Sequence, residues 1–205
     1  RRAHVSLQGD LNQVLPALSM PMQIEGWRTE VKAMKAEFDW RYDHPGEAIY
    51  APLLLKQLSD RKADSAVVTT DVGQHQMWAA QHMSFTQPEN FITSSGLGTM
   101  GFGLPAAIGA QVARPEDTVI CVSGDGSIMM NIQELGTIKR GKLPVKILLL
   151  DNQRLGMVRQ WQQLFFDGRY SETILTDNPD FLTLASAFDI PGQHISRKDQ
   201  VDAAI

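Results

Sequence analysis

The sequence predicts an α/β fold: a parallel sheet with helices on both faces, preceded by the tail of another domain. Two observations lead there. From about residue 46, strand-length apolar runs alternate with helix-length amphipathic segments. Alternation of that kind builds a sheet covered on both sides. In addition, Thr118–Ser123 and Val145–Leu150 are separated by one helix-sized segment, which makes a βαβ unit. Its strands are expected parallel, joined by a right-handed crossover.

The elements follow in order. Residues 1–20 read as a short strand, in the opening Arg1 to Leu7, and then a turn or helix over Asp10–Leu18. Residues 21–45 carry charged residues with Trp27, Phe38, Trp40 and Tyr42, and read as an amphipathic helix and a linker that Pro45-Gly46 breaks. The domain boundary is expected there. Tyr50 to Arg61 reads as a helix with Leu53, Leu54 and Leu58 inward, and Ser65–Asp71 as a strand. Gly73-Gln74-His75 is a turn before a helix from Gln76 to His82, and Phe91–Ser94 is a short strand. The glycine-rich loop Gly96–Gly103 precedes a helix over Leu104–Ala113, with Pro105 near its first position.

In the βαβ unit, Ser127 to Arg140 has helical spacing, with Ile128, Asn131, Leu135 and Ile138 on one face. Gly141 stops it. Helices at about 154–165 and 178–188 follow, then a strand near Gln193–Ser196. Ser196 with Asp199 three residues on forms an imperfect capping box for a last helix. Both ends read as cuts within a longer polypeptide.

Composition narrows the function classes. The chain has 205 residues, 43% of them hydrophobic, enough for one α/β domain and an appendage. A net charge of −4 without a long basic run gives no argument for nucleic acid or an anionic membrane. The apolar runs are strand-length, too short to span a bilayer. The single cysteine, Cys121, excludes an internal disulfide and fits a reducing, cytoplasm-like compartment. Its place in an apolar strand suggests a buried, inert thiol. The five histidines show no metal spacing.

The βαβ unit also predicts the chemistry. Its strands end at Gly124-Asp125-Gly126 and at Asp151-Asn152, so Asp125 and Asn152 meet at the carboxyl edge of the sheet, where ligands of open α/β sheets bind. A carboxylate and an amide oxygen are hard ligands suited to Mg²⁺ or Ca²⁺. They are too few to enclose Mg²⁺, which would complete its shell with water and phosphate. The helix start near Ser127 offers N–H groups to the same phosphate, and Gly126 permits close approach. Alone, Gly-Asp-Gly reads as a turn. In its strand–helix–strand frame it reads as a metal-bridged diphosphate site.

Other loops converge on that edge. Gln74 and His75, at the end of the first strand, can donate to phosphate oxygens, although a histidine there can also simply satisfy a helix start. The loop Gly96–Gly103 matches neither the dinucleotide fingerprint nor a Walker loop. It suits a flat cofactor lying on backbone, with Met100 as a polarisable support. Past Asn152, Met157, Val158 and Trp161 share a helix face, either as core or as the lining of a substrate entrance.

Gly-Asp-Gly followed at this distance by Asn resembles the signature of thiamine-diphosphate enzymes. The match narrows further. Asp71–Trp78, Thr93–Gly109, Gly124–Asn131 with Gln133-Glu134-Leu135, and Leu150–Trp161 resemble the large catalytic subunits of bacterial acetohydroxyacid synthases (acetolactate synthases), of the isozyme II type. The likeness runs over essentially the whole chain. It implies that residues 1–20 end a middle, flavin-binding domain, that 21–45 are a linker, and that 46–205 are a cofactor domain lacking its final stretch.

The resemblance implies residue roles as well. The side chains of Asp125 and Asn152 and the carbonyl of Arg154 would hold Mg²⁺. Gln74 and His75 would contact the diphosphate, and Gly98, Thr99 and Met100 would line the thiamine. Asp125, Gly126 and Ser127 would hold metal and diphosphate, and Asn152, Leu155, Gly156 and Met157 would complete that wall. Trp161, with Met157 and Val158, would pack on the second 2-keto acid and favour 2-ketobutyrate over pyruvate. The reaction implied condenses pyruvate with a second 2-keto acid, with loss of CO₂, in branched-chain amino-acid biosynthesis. FAD is implied too, bound mostly by the middle domain. A second catalytic subunit, as a homodimer or larger, and a small regulatory subunit are the implied partners. The family's catalytic glutamate belongs to an N-terminal domain that no residue here matches, so the chain alone is expected to be inactive. The alternative is another thiamine-diphosphate enzyme, of the pyruvate oxidase or glyoxylate carboligase type.

Overall fold

The computed structural model describes residues 2–205. The chain divides into two compact units, one ending at Arg41 and the other running Tyr42–Ile205.

The first unit holds α1 (Leu11–Leu18) and α2 (Glu25–Glu37), neither with a buried residue. Asp10 caps α1, its carboxylate accepting the Asn12 amide at 2.9 Å. Glu25 opens α2, where acidic charge suits the helix dipole, and pairs with Arg28 at 3.3 Å. The strand expected over residues 1–7 is absent among the described residues 2–7, which carry no sheet partner. Arg1 lies outside the described residues.

The second unit is the α/β domain. Its strands are β1 (Val67–Thr70), β2 (Phe91–Thr93), β3 (Val119–Gly124) and β4 (Lys146–Leu150), in the order β2-β1-β3-β4. Every pairing is parallel. Successive residues point to opposite faces. Val67, Val119 and Cys121 therefore enter one core with Leu104, Ala107, Leu135 and Ile138. Val68, Ile120 and Val122 enter the other with Leu55, Ala79 and Met83. These residues assign α5 (Gly103–Ala113) and α7 (Leu135–Gly141) to one face, and α3 (Ala51–Arg61) and α4 (Gln74–His82) to the other. The sheet is thus covered on both faces, which explains the apolar runs. Each fully buried aliphatic side chain contributes about 1.5–3 kcal/mol.

Local differences from the sequence expectation have physical causes. In α3, Leu55 is fully buried beside Leu54, while Leu53 is half-buried. Gln74 and His75 lie inside the first turn of α4, because the helix starts directly after Gly73. The segment after Gly124 is not one helix. It forms α6 (Asp125–Ile128), a 3₁₀ turn at Ile132–Glu134 and then α7. Asn131 stands at the break, where its amide donates to the Gly101 carbonyl at 2.8 Å, a tertiary bond that competes with helix continuation. Ile128, Leu135 and Ile138 still face the core. The left-handed residue ending α7 is Lys142 (φ 49°), one past Gly141.

After β4 come α8 (Gly156–Phe165), α9 (Phe181–Ala187) and α10 (Val201–Ala204). The strand expected near Gln193–Ser196 does not form; Arg197, just beyond it, makes only an isolated antiparallel bridge with Ala48, outside the sheet. At the last turn Gln200, rather than Asp199, reaches back, accepting the amides of Ser196 and Arg197 at 3.0 Å each. Asp199 pairs with Arg197 at 2.5 Å.

Candidate functional site

Register alone brings the Asp125 and Asn152 loops together. Gly124 pairs with Leu150, so the chains leave β3 and β4 side by side at the carboxyl edge. There a solvent-open cleft forms, at the strand ends where ligands of open α/β sheets bind. The start of α4 supplies Gln74 and His75, the glycine loop supplies Met100, and α6 supplies Asp125, Gly126 and Ser127. Asn152, Arg154, Leu155, Gly156, Met157 and Val158 close the other side.

Several expected residues stand apart. Gly98 (φ 68°) and Thr99 do not line the cleft; the Thr99 amide is bound to Ser94 Oγ at 2.7 Å. Trp161 is also outside the lining, 57% exposed, with its ring edge-on to Phe165 at 5.4 Å. No residue of α8 is buried, so the Met157–Trp161 stripe is not core in this chain.

The glycines here make room for specific side chains. A Cβ on Gly73 or Gly124 would come within 2.9 Å or 2.8 Å of the His75 ring, so the imidazole fits only between two residues without side chains. A Cβ on Gly156 would strike Gln74 Oε1, at 2.1 Å, and Asn152 Nδ2, at 2.9 Å. That gap lets Asn152 Nδ2 donate to Gln74 Oε1 at 3.3 Å, while Gln74 Nε2 donates to Gln160 Oε1 at 3.2 Å. Gln74 thereby links the α4 start to the Asn152 loop and to α8.

Burial sets the electrostatics. His75 is 5% exposed, and burial pushes its pKa down to about 4, so the ring is neutral at pH 7. Its Nε2 has no hydrogen-bond partner and lies 3.8 Å from Asp71 Oδ2. Asp71 is itself buried. It accepts from the Gly103 amide at 2.5 Å and from the Ser123 hydroxyl, bonds that tie β1 to the start of α5 and to β3. Burial raises its pKa against those bonds. Cys121 is pushed up to about 12, chiefly by burial and then by Asp71, which makes an inert thiol.

Asp125 is 2% exposed. Burial raises its pKa, donors from Asn178 and the Gly126 amide lower it, and neighbouring Asp151 raises it again. Asn152 closes a tight turn: its Oδ1 accepts the Arg154 amide at 3.1 Å, across Gln153 in the left-handed region (φ 56°). Such backbone is uncommon outside glycine and is maintained where surrounding bonds enforce it.

The donor set fits a divalent cation with a diphosphate. A buried carboxylate and an amide oxygen stand at one edge, with neutral donors and side-chain-free backbone around them. No group of three or more His, Cys, Asp or Glu able to hold a metal occurs among the described residues, so a metal here would need amide, carbonyl and ligand oxygens.

The family model described as "Thiamine pyrophosphate enzyme, C-terminal TPP binding domain" matches residues 71–205. The chain belongs to this thiamine-diphosphate enzyme family. Over its whole length it is 75% identical to the acetolactate synthase isozyme 2 large subunit of Escherichia coli K12, covering 37% of that protein. It is 42% identical over 213 residues to the mitochondrial acetolactate synthase catalytic subunit of Saccharomyces cerevisiae, covering 31% of it. It is 39% identical over 226 residues to a probable chloroplastic acetolactate synthase 2 of Oryza sativa, covering 34%. The chain therefore spans about a third of the length of these curated relatives.

Within this thiamine-diphosphate domain, sequence reasoning missed Val72, Gly73, Trp78, Gly124 and Leu150 in the lining. Most adjoin residues it named, and Trp78 is one helical turn beyond Gln74, so helical spacing could have found it. Asn178 carries no such signal. It lies in an irregular segment beyond α8, yet touches Asp125.

Proposed function

We propose that this chain is the thiamine-diphosphate-binding part of an acetolactate synthase large subunit, condensing pyruvate with a second 2-keto acid and releasing CO₂. The observation that carries the reading is 75% identity over the whole chain to a protein of that name. The cleft at the strand ends supports it.

In this reading Asp125, Asn152 and the Arg154 carbonyl hold Mg²⁺. Gln74, His75 and Ser127 contact the diphosphate, and Gly126 keeps its approach clear. Gly98, Thr99 and Met100 support the thiamine, with Leu155 and Gly156 completing the wall. The bound cofactor supplies the electron sink for loss of CO₂ and carbon–carbon bond formation. The protein's part is placement. Asp125 must be ionised to hold a cation, and the Asn178 and Gly126 donors favour that form against burial. Neutral His75 can donate to a phosphate oxygen without adding a charge. Met157, Val158 and Trp161 offer an apolar surface to the second keto acid and exclude water.

The larger polypeptide is the working enzyme. Residues 1–20 end its flavin-binding middle domain, 21–45 are a linker, and 46–205 form the cofactor domain. FAD, a partner catalytic subunit that supplies the glutamate acting on the cofactor, a small regulatory subunit and a cytoplasmic place in branched-chain amino-acid synthesis belong to the same proposal. No helix among the described residues is long and apolar enough to cross a membrane.

Asp125→Ala in the full-length enzyme tests the metal assignment. It is expected to abolish Mg²⁺-dependent binding of thiamine diphosphate, read by equilibrium dialysis, while circular dichroism stays native. Unchanged cofactor affinity would reject it.

A further inference from the structure

We propose that Asn178 is a positioning residue that presents Asp125 to Mg²⁺ and disfavours Ca²⁺. The inference rests on the reading of Asp125 as a metal ligand.

The Asn178 amide lies between two carboxylates. Its Nδ2 donates to Asp125 Oδ2 at 2.8 Å and to Asp151 Oδ1 at 3.3 Å. The contact is built from outside the βαβ unit, by a segment fastened across the 153–155 turn. The Leu155 amide donates to the Thr173 carbonyl at 3.0 Å, and the Leu175 amide to the Gln153 carbonyl at 2.8 Å. Arg154 and Ile174 form an antiparallel bridge. The Asn178 amide N–H then donates to the Leu175 carbonyl at 3.2 Å, which fixes its side chain at the edge. Two residues later Asp180 caps α9, accepting the Leu182 and Thr183 amides at 2.9 Å and 3.1 Å. Asn178 is thus anchored from both sides, on the residues proposed to complete the metal shell.

The consequence is chemical. Mg²⁺ keeps near-octahedral geometry with one or two protein carboxylates, plus water and phosphate. Ca²⁺ takes six to eight oxygens and accepts bidentate carboxylates. By engaging one oxygen of Asp125 and one of Asp151, Asn178 limits the number of carboxylate oxygens available to an ion. Without it, Asp125 can bind through both oxygens and Asp151 can turn in. That richer oxygen set suits Ca²⁺.

The test uses the full-length enzyme with Asn178→Ala and Asn178→Leu. The second variant is close to the native residue in volume, removes its N–H donors and adds no charge or oxygen ligand, so it carries the test if the alanine variant does not fold. The half-saturating Mg²⁺ and Ca²⁺ concentrations for thiamine-diphosphate binding are read from tryptophan fluorescence, with Trp78 in the cleft as reporter. The Ca²⁺-to-Mg²⁺ ratio of these concentrations is expected to fall roughly 10-fold, the scale of losing a partner that orients a ligand. A wild-type ratio in both Asn178 variants would make Asn178 a loop tie only. If Asp125→Ala also leaves the metal requirement intact, the metal reading itself fails and takes this proposal with it.

Discussion

His75 shows how one side chain constrains its surroundings. Its ring fits only because residues 73 and 124 are glycines, and its burial holds the pKa near 4 against an ordinary 6.5. The sign of the pH effect follows. Above pH 6.5 the ring is neutral folded or unfolded and contributes nothing to pH dependence. Below 6.5 the unfolded chain binds a proton that the folded one refuses until about pH 4. Stability is therefore lost as pH falls through that window, by on the order of 3 kcal/mol. His75→Gln, which cannot titrate, is expected to flatten the fall in thermal midpoint between pH 6.5 and 4, measured on the full-length enzyme without cofactor. Asp71 and Asp125, whose pKa values are raised, act in the opposite direction and remain in both proteins, so the difference isolates His75. Parallel curves would show that His75 is not held neutral by burial.

Among the elements, α8 carries the specificity argument. It exposes Val158, Trp161, Leu164 and Phe165, an apolar face that nothing in this chain covers among the described residues. Met157 and Val158 reach the cleft, while Trp161 stands one turn farther out. In the proposed enzyme that position suits the side chain of the second keto acid better than the decarboxylation step. An apolar contact discriminates one methylene by only about 1–3 kcal/mol. Trp161→Leu is therefore expected to lower the acetohydroxybutyrate-to-acetolactate ratio roughly 10-fold in a competition assay, with acetolactate still forming. A wild-type ratio with collapsed turnover would instead give Trp161 a structural or cofactor-positioning role.

The same scale shows what the sequence made legible. The parallel strands were visible because β3 and β4 are mainly apolar runs and β1 is β-branched throughout, each ended by glycine or polar residues. Asp125 and Asn152 could be paired because register in a βαβ unit is simple. The break after α6 was hidden because periodicity continues through Ile128, Leu135 and Ile138, while the bond that interrupts it, Asn131 to Gly101, is tertiary. Asn178 was hidden for the same reason: its role comes from where a distant segment crosses the site. The strand expected at 193–196 had the local pattern but found no neighbour in the sheet.

At the scale of the whole molecule, the Tyr42–Ile205 unit has a sheet covered on both faces and a cleft at its carboxyl edge. That architecture is shared by enzymes with different products, so the family fixes the cofactor more firmly than the reaction. The most direct test is product analysis of the full-length enzyme supplied with thiamine diphosphate, Mg²⁺, FAD, pyruvate and 2-ketobutyrate together. Acetolactate and acetohydroxybutyrate, with CO₂ released and no net consumption of an oxidant, are the products this reading predicts. Oxidised two-carbon products formed with consumption of oxygen, or carboligation only from glyoxylate, would contradict it.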